Sequence, residues 1–275
     1  MDFVDRTVRD IRKLKIQGAF RIALAAIKAW KSAKNKREAE RKLFASRPTE
    51  PMLRNSLRYL RKYGKTKELV AKLQTDQEKI IQYALAKVPQ KGIVYTHCHS
   101  STVNEILKRA KKRGKKILVT ATETRPFYQG RITAKELAKA RIPIILFVDS
   151  AARLAMKKAD VMLIGADAIT SEGIVINKIG SELMADVANQ YEIPIYVCTH
   201  SWKFDPDTVF GFEEKIEKRA AKEIWSRHPK GVQISNYVFE KIDPNKITGI
   251  ISELGVFKPE AFVEEVRKNY KWMFK

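Results

Sequence analysis

Gly92-Ile93-Val94-Tyr95-Thr96-His97-Cys98-His99-Ser100-Ser101 carries an apolar run directly into a polar loop. Val161-Met162-Leu163-Ile164-Gly165-Ala166-Asp167 does the same further on. Short apolar runs without polar alternation fit parallel strands covered on both faces. In an open parallel sheet, ligands bind in the crevice outside the carboxyl ends of the strands. The two runs therefore predict a thiol, Cys98, and a carboxylate, Asp167, at two such ends and facing one bound molecule. A thiolate that takes a proton and an acid that returns it are the minimum equipment for moving a hydrogen along a carbon chain.

Outward from these two runs the pattern repeats. Apolar runs at 93–95, 117–120, 142–148, 161–164, 193–198 and 247–251 predict strands. Segments 102–112, 134–140, 151–158 and 178–190 between them predict crossover helices, long enough for right-handed connections. The fold class is thus α/β, with a Rossmann-like parallel-sheet domain over 89–275. Residues 1–88 read as a basic α-helical domain. There Val4, Val8, Ile11 and Leu14 recur at helical spacing, as do Phe20, Leu24, Ile27 and then Leu53, Leu57, Leu60. Arg47-Pro48-Thr49-Glu50-Pro51 marks a loop and a helix start, and Val88-Pro89-Gln90-Lys91-Gly92 marks the boundary. The chain has neither a Gly-x-Gly-x-x-Gly nor a Walker A pattern, so no dinucleotide or P-loop site is expected, and no cofactor.

Formal net charge is +23, and the first 90 residues hold 23 Lys and Arg against 9 Asp and Glu. A field of that sign favours polyanions, either RNA or a phosphorylated small molecule. Solvated basic helix faces give the same count, and no RNA-recognition, KH or zinc-knuckle signature accompanies it. Two cysteines 100 residues apart suggest no disulfide framework. With no apolar stretch of about 18 residues, no membrane partner is expected and the expected location is cytoplasmic.

Other readings of the two key residues stand beside the catalytic one. Cysteine at a strand end is often a small buried hydrophobe, and Asp after a strand is often a turn former or helix cap. His97, Cys98, His99, Cys198 and His200 suggest a metal, but adjacent residues on an extended strand face opposite ways and no Cys-x-x-Cys spacing occurs. No metal is therefore expected. Cys98 precedes a predicted helix, whose N-terminus would lower its thiol pKa. Backbone N–H groups at Ser100 and Ser101 make a phosphate cradle at that helix start.

Seven segments in collinear order resemble one superfamily. They are Ile16-Gln17-Gly18-Ala19, Ser46-Arg47-Pro48-Thr49, Thr96-His97-Cys98-His99-Ser100, Thr122-Glu123-Thr124-Arg125-Pro126 with Gln129-Gly130, Gly165-Ala166-Asp167, Ile176-Asn177-Lys178-Ile179-Gly180, and Trp202-Lys203-Phe204. The superfamily holds the α, β and δ regulatory subunits of translation initiation factor 2B, 5-methylthioribose-1-phosphate isomerase and archaeal ribose-1,5-bisphosphate isomerase. In the isomerases, the resemblance implies, Cys98 takes the C2 proton of an opened aldose phosphate. Asp167 serves the neighbouring oxygen or returns the proton. It also implies a ligand set of Gln17, Gly18, Ala19, Arg21, Arg47, Ser100, Ser101, Asn177, Lys178 and Lys203. Of the remaining motif residues, Arg125 is expected to brace loops, and Trp202 and Phe204 to wall the pocket or a dimer contact. His97 and His99 are expected to be structural, one supporting Cys98 by a hydrogen bond.

One position departs from the isomerase pattern. Enzymes of the group have arginine where this chain has Gln17, and a neutral amide cannot fork onto phosphate as a guanidinium does. Arg21, one turn on, is the available substitute. Together with the basic N-terminal part, Gln17 favours an archaeal-type regulatory subunit of initiation factor 2B that keeps a phosphate-ligand pocket. Cys98 with Asp167 favours the alternative, a ribose-1,5-bisphosphate-type aldose–ketose isomerase. Implied partners are a second copy of the chain, and initiation factor 2 or its sister subunits. The homodimer is expected to form through 235–239, 247–251 and 255–257.

Overall fold

The computed structural model describes residues 2–13, 15–213 and 216–274. Among these the chain opens with helices α1 (Phe3–Arg12), α2 (Ala19–Ser32), α3 (Lys36–Phe44), α4 (Pro51–Tyr63) and α5 (Thr66–Leu85). Strands and helices then alternate: β1 (Lys91–Thr96), α6 (Ser101–Lys112), β2 (Lys116–Thr122), α7 (Gln129–Lys139), β3 (Ile144–Phe147), α8 (Ala152–Met156) and β4 (Val161–Ile164). The remainder holds β5 (Ala168–Ile169), β6 (Val175–Lys178), α9 (Ser181–Gln190), β7 (Ile195–Cys198), β8 (Phe239–Ile242), β9 (Gly249–Ser252), β10 (Gly255–Phe257) and α10 (Pro259–Asn269).

The main sheet has the order β10-β9-β7-β4-β1-β2-β3. All its pairings are parallel except that of β10 with β9. Chain order runs outward from β1 on one side and from β4 on the other, so the switch in direction lies between these neighbours. Ligand crevices in open sheets form at such a point. Val161, Met162, Leu163 and Ile164 are all buried, which explains an unbroken apolar run at the centre of the sheet.

The helical part is not a separate layer with its own core. One apolar cluster runs from Val4, Ile11, Ile22 and Leu57 through Met162, Ile195 and Ile250 to Phe262. The helical periods at the start bury as pattern dictates, with Val4, Val8 and Ile11 inward. Leu14, the fourth member of that first period, lies outside the described residues. Trp202 and Phe204 are wholly buried in this core rather than walling a pocket or a contact. Trp202 packs against Tyr59, Tyr270 and Trp272 with ring centroids 5.2–5.9 Å away.

Three expectations fail here. Lys178 does not begin a helix: it ends β6, which pairs antiparallel with β8, and α9 starts only after Gly180 at φ +97. A side chain at Gly180 would press on the His97 ring at 3.2 Å. The expected crossover helix over 178–190 is otherwise present as α9, and a small antiparallel sheet, β5-β6-β8, adds strands that no apolar run announced. The stretch 247–251 is not a dimer surface either, because β9 lies inside the main sheet with Ile250 and Ile251 buried. Val238 and Phe239 are likewise buried, against Ala168 and Ile176. Tyr237 and Val256, also in the expected dimer stretches, are exposed, as are Ile145, Leu146 and Val148 on and beside the edge strand β3.

Candidate functional site

Cys98 follows β1 with a φ of +67, and Thr124, after β2, has φ +61. A β-branched residue at positive φ is a true outlier, and such strain persists only where surrounding bonds over-determine it. Here they do. The Cys98 N–H donates to Thr124 Oγ1 at 3.1 Å, and its carbonyl accepts from Thr133 Oγ1 at 2.8 Å. Thr124 is pinned in turn, because Asp149 accepts its N–H at 2.8 Å and that of Arg125 at 2.7 Å.

The two flanking histidines are structural, through other partners than Cys98's thiol. His97 is buried between Thr122 Oγ1 at 2.9 Å and the Ile179 carbonyl at 3.0 Å. The carbonyl needs a donor, so His97 carries its proton on Nε2, and Thr122 donates to Nδ1. Burial lowers the pKa of His97. His99 Nδ1 lies 3.2 Å from Thr133 Oγ1, the hydroxyl already committed to the Cys98 carbonyl, so its support of Cys98 is indirect. His200 Nε2 donates to Gln77 Oε1 at 2.9 Å, and Cys198 is buried among apolar side chains that include Val94 and Leu163. Among the described residues no group of three or more His, Cys, Asp and Glu could hold a metal.

Asp167 sits half-buried just after β4, its N–H held by the Ile176 carbonyl of β6 at 2.8 Å. Gly165 lets this loop close on the start of α6. A Cβ there would come within 2.9 Å of Ser100 Oγ. Asp167 acts on Cys98, as does Asp149, and both push the thiol up, while Lys178 pulls it down. Burial outweighs all three and pushes the Cys98 thiol up to about 12. This reverses the expected lowering by a helix end. Ser100, not Cys98, is the N-cap of α6, accepting the Val103 N–H at 3.3 Å, so Cys98 stands two residues ahead of the cap.

Lys178 is buried beside Phe239, its ammonium 5.0 Å from the ring, and acts on both Cys98 and His97. Lys203 Nζ donates to the Ala166 carbonyl, next to Asp167. Arg47, in the α3–α4 turn, shares with Lys203 and Asp167 an electrostatic neighbour, Glu50. Arg21, in the first turn of α2, reaches His99 electrostatically. Phe20 beside it stacks on His200 with centroids 5.3 Å apart, so the start of α2 closes over the β1 and β7 loop ends. Gln17 and Gly18 are exposed ahead of that helix, and Ala19 is buried at its start. Ser101 is exposed, and Asn177 donates to Ser181 Oγ at 3.0 Å. Arg125 braces a loop, donating to the Ile224 carbonyl at 3.4 Å.

Two groups emerge that the sequence reading left aside. Glu50 is buried among the cations of the pocket, with its carboxyl pushed up to about 7, first by burial and then by Asp167. Gln129 Oε1 is buried without a hydrogen-bond partner among the described residues. Gln129 lies in a motif segment, and Glu50 directly follows the segment 46–49; that position was the available signal.

Residues 15–259 match the initiation factor 2 subunit family. The chain is similar to ribose 1,5-bisphosphate isomerase of Pyrococcus furiosus, 35% identical over 95% of this chain and 87% of that protein. It is 34% identical to ribose 1,5-bisphosphate isomerase of Thermococcus kodakarensis, over 96% of this chain and 94% of that one. Among solved structures, a translation initiation factor eIF-2B from Pyrococcus horikoshii superposes with a TM-score of 0.81. That pair is 25% identical and covers 94% of this chain and 98% of the other.

Proposed function

The chain belongs to the initiation factor 2 subunit family, and we propose that it acts there as a sugar-phosphate isomerase of the ribose-1,5-bisphosphate type. The observation that carries this reading is the placement of Cys98 and Asp167 at adjacent strand ends astride the switch point, electrostatically coupled, with buried Lys178 beside them. Near-full-length similarity to two isomerases of that name supports the same choice.

Chemically the reaction is an internal exchange. The Cys98 thiolate takes the proton from C2 of the opened aldose and returns it to C1. Asp167 carries the oxygen-side proton, giving one to the ring oxygen as the ring opens and taking one from the C2 hydroxyl, so that C2 becomes the ketone carbon and C1 is reduced. Protons balance within the pocket, and no cofactor enters the scheme. Lys178, Lys203 and Arg47 hold phosphate and hydroxyl groups. The regulatory-subunit reading is favoured by Gln17, exposed where an isomerase arginine is expected. Incubation with ribose 1,5-bisphosphate separates the two: ketose formation supports the enzyme. No turnover alongside a specific complex with initiation factor 2 supports the subunit.

Phosphate anchoring gives a second check. Lys203→Ala is expected to weaken ribose 1,5-bisphosphate binding by about 1.5–3 kcal/mol, the range for a hydrogen bond to a charged group. Titration calorimetry would read it. Unchanged affinity in Lys178→Ala and Lys203→Ala together places the phosphate elsewhere. Self-association is part of the proposal, supported by Ile145, Leu146 and Val148 exposed along the edge strand β3. Light scattering at micromolar concentration should show a dimer, and Leu146→Lys should dissolve it; a wild-type monomer excludes it.

A further inference from the structure

Glu50 is the N-cap residue of α4, yet its side chain makes no capping bond. The first helical position is Pro51, which has no N–H to offer. Glu50 is 2% exposed, and its Oε1 has no hydrogen-bond partner among the described residues. A buried carboxylate in that state is costly and normally finds a partner or a proton. The charged groups that act on it come from four different places in the fold. Arg47 lies on the α3–α4 turn, Arg54 on α4, Asp167 after β4, and Lys203 after β7. Their established bonds point elsewhere: Arg54 pairs with Asp205 at 2.8 Å, and Lys203 donates to the Ala166 carbonyl. Arg47, Lys203 and Asp167 are the groups that face the ligand in the pocket proposed above, and Glu50 stands among all three.

We propose that Glu50 is a ligand-binding group that works as a neutral acid: it takes a proton from solvent as the anionic ligand enters, and then donates that O–H to the ligand's phosphate. The inference rests on reading the pocket as a phosphate-ligand site, and not on turnover there. An ionised Glu50 would oppose a phosphate entering between Arg47 and Lys203, whereas a protonated one adds a donor to that pair. Burial and the nearby Asp167 carboxylate already push the group up to about 7, and a bound phosphate adds a further negative charge in the same direction. The carboxyl is thus half-charged near neutrality in the empty pocket and neutral in the filled one. Near neutral pH, binding and proton uptake are linked.

The test is titration calorimetry of the whole protein with ribose 1,5-bisphosphate, and separately with inorganic phosphate, in two buffers of different ionisation enthalpy. At pH 8 the wild type should take up about one proton per ligand more than Glu50→Gln does. The ratio of wild-type to variant Kd should grow about tenfold from pH 6 to pH 8, because only the wild type must be protonated first. Comparison with the variant removes the ligand's own ionisation. Equal proton counts and parallel pH profiles in the two proteins overturn the proposal. Should Glu50→Gln not fold, infrared difference spectra of the wild type decide. A new protonated-carboxyl band on adding phosphate at pH 8 supports the proposal, and no such band overturns it. Absence of isomerisation with this linkage intact rejects only the enzyme reading. Failure of both ligands to bind overturns the pocket and Glu50's role together.

Discussion

Cys98→Ser is expected to lower kcat for isomerisation of ribose 1,5-bisphosphate by about 10²–10⁴-fold, the usual share of a positioned general base. A serine hydroxyl stays protonated where a thiolate forms. The thiol is itself held high, up to about 12, by burial, so its thiolate is scarce at neutral pH and grows about tenfold per pH unit. Below pH 7 the wild-type kcat/KM should therefore rise with pH, and Cys98→Ser should lose that slope along with the rate. Asp167→Asn should lose a similar factor by removing the proton carrier on the oxygen side. Both variants should bind ligand, because neither group is a phosphate anchor. Robust turnover in Cys98→Ser would remove the thiol from the chemistry and with it the main support for the enzyme reading.

What could be read beforehand follows from what burial does to a pattern. The central strands were legible because a strand covered on both faces has no polar alternation, as 161–164 demonstrates. The strand order, and with it the switch point between β1 and β4, is set by the tertiary pairing and not by the runs themselves. Strand 175–178 gives no clear signal, because its last residues, Asn177 and Lys178, are polar and lead directly into the helical pattern that follows. In the fold both are buried, Lys178 over the Phe239 ring, and only the pairing with a strand some 60 residues later accounts for that. The run 247–251 carried no signal to separate the interior of a sheet from an interface, since both select the same side chains. Thiol and carboxyl acidity were out of reach for a related reason. Proximity to a helix start is visible in sequence, but the desolvation that governs Cys98 and Glu50 comes from residues scattered along the whole chain.

Trp202→Ala is expected to cost about 3–5 kcal/mol of stability, as for a large aromatic removed from a packed core. Trp202 is the largest of the wholly buried side chains, and it ties three layers together. Its ring meets Tyr59 of α4 at 5.6 Å, and Tyr270 and Trp272, beyond α10, at 5.9 and 5.2 Å. Its carbonyl accepts from Asn55 Nδ2 at 2.9 Å, and the same amide donates to the Phe204 carbonyl at 2.8 Å. Asn55 thus clamps the backbone on both sides of Lys203, the residue whose ammonium sits beside Asp167. The cavity should therefore act twice. Calorimetry should show the melting temperature falling by about 2–4 °C for each kcal/mol lost. Phosphate affinity should fall as well, because the segment that aims Lys203 loses its packing. Asn55→Ala tests the second effect separately, removing both clamping bonds while leaving the aromatic cluster in place. A stability loss below about 1 kcal/mol in Trp202→Ala would mean that the surrounding rings collapse into the space. Phosphate affinity unchanged in both variants would show that Lys203 is positioned by its own bond to Ala166 and not by the core beneath it.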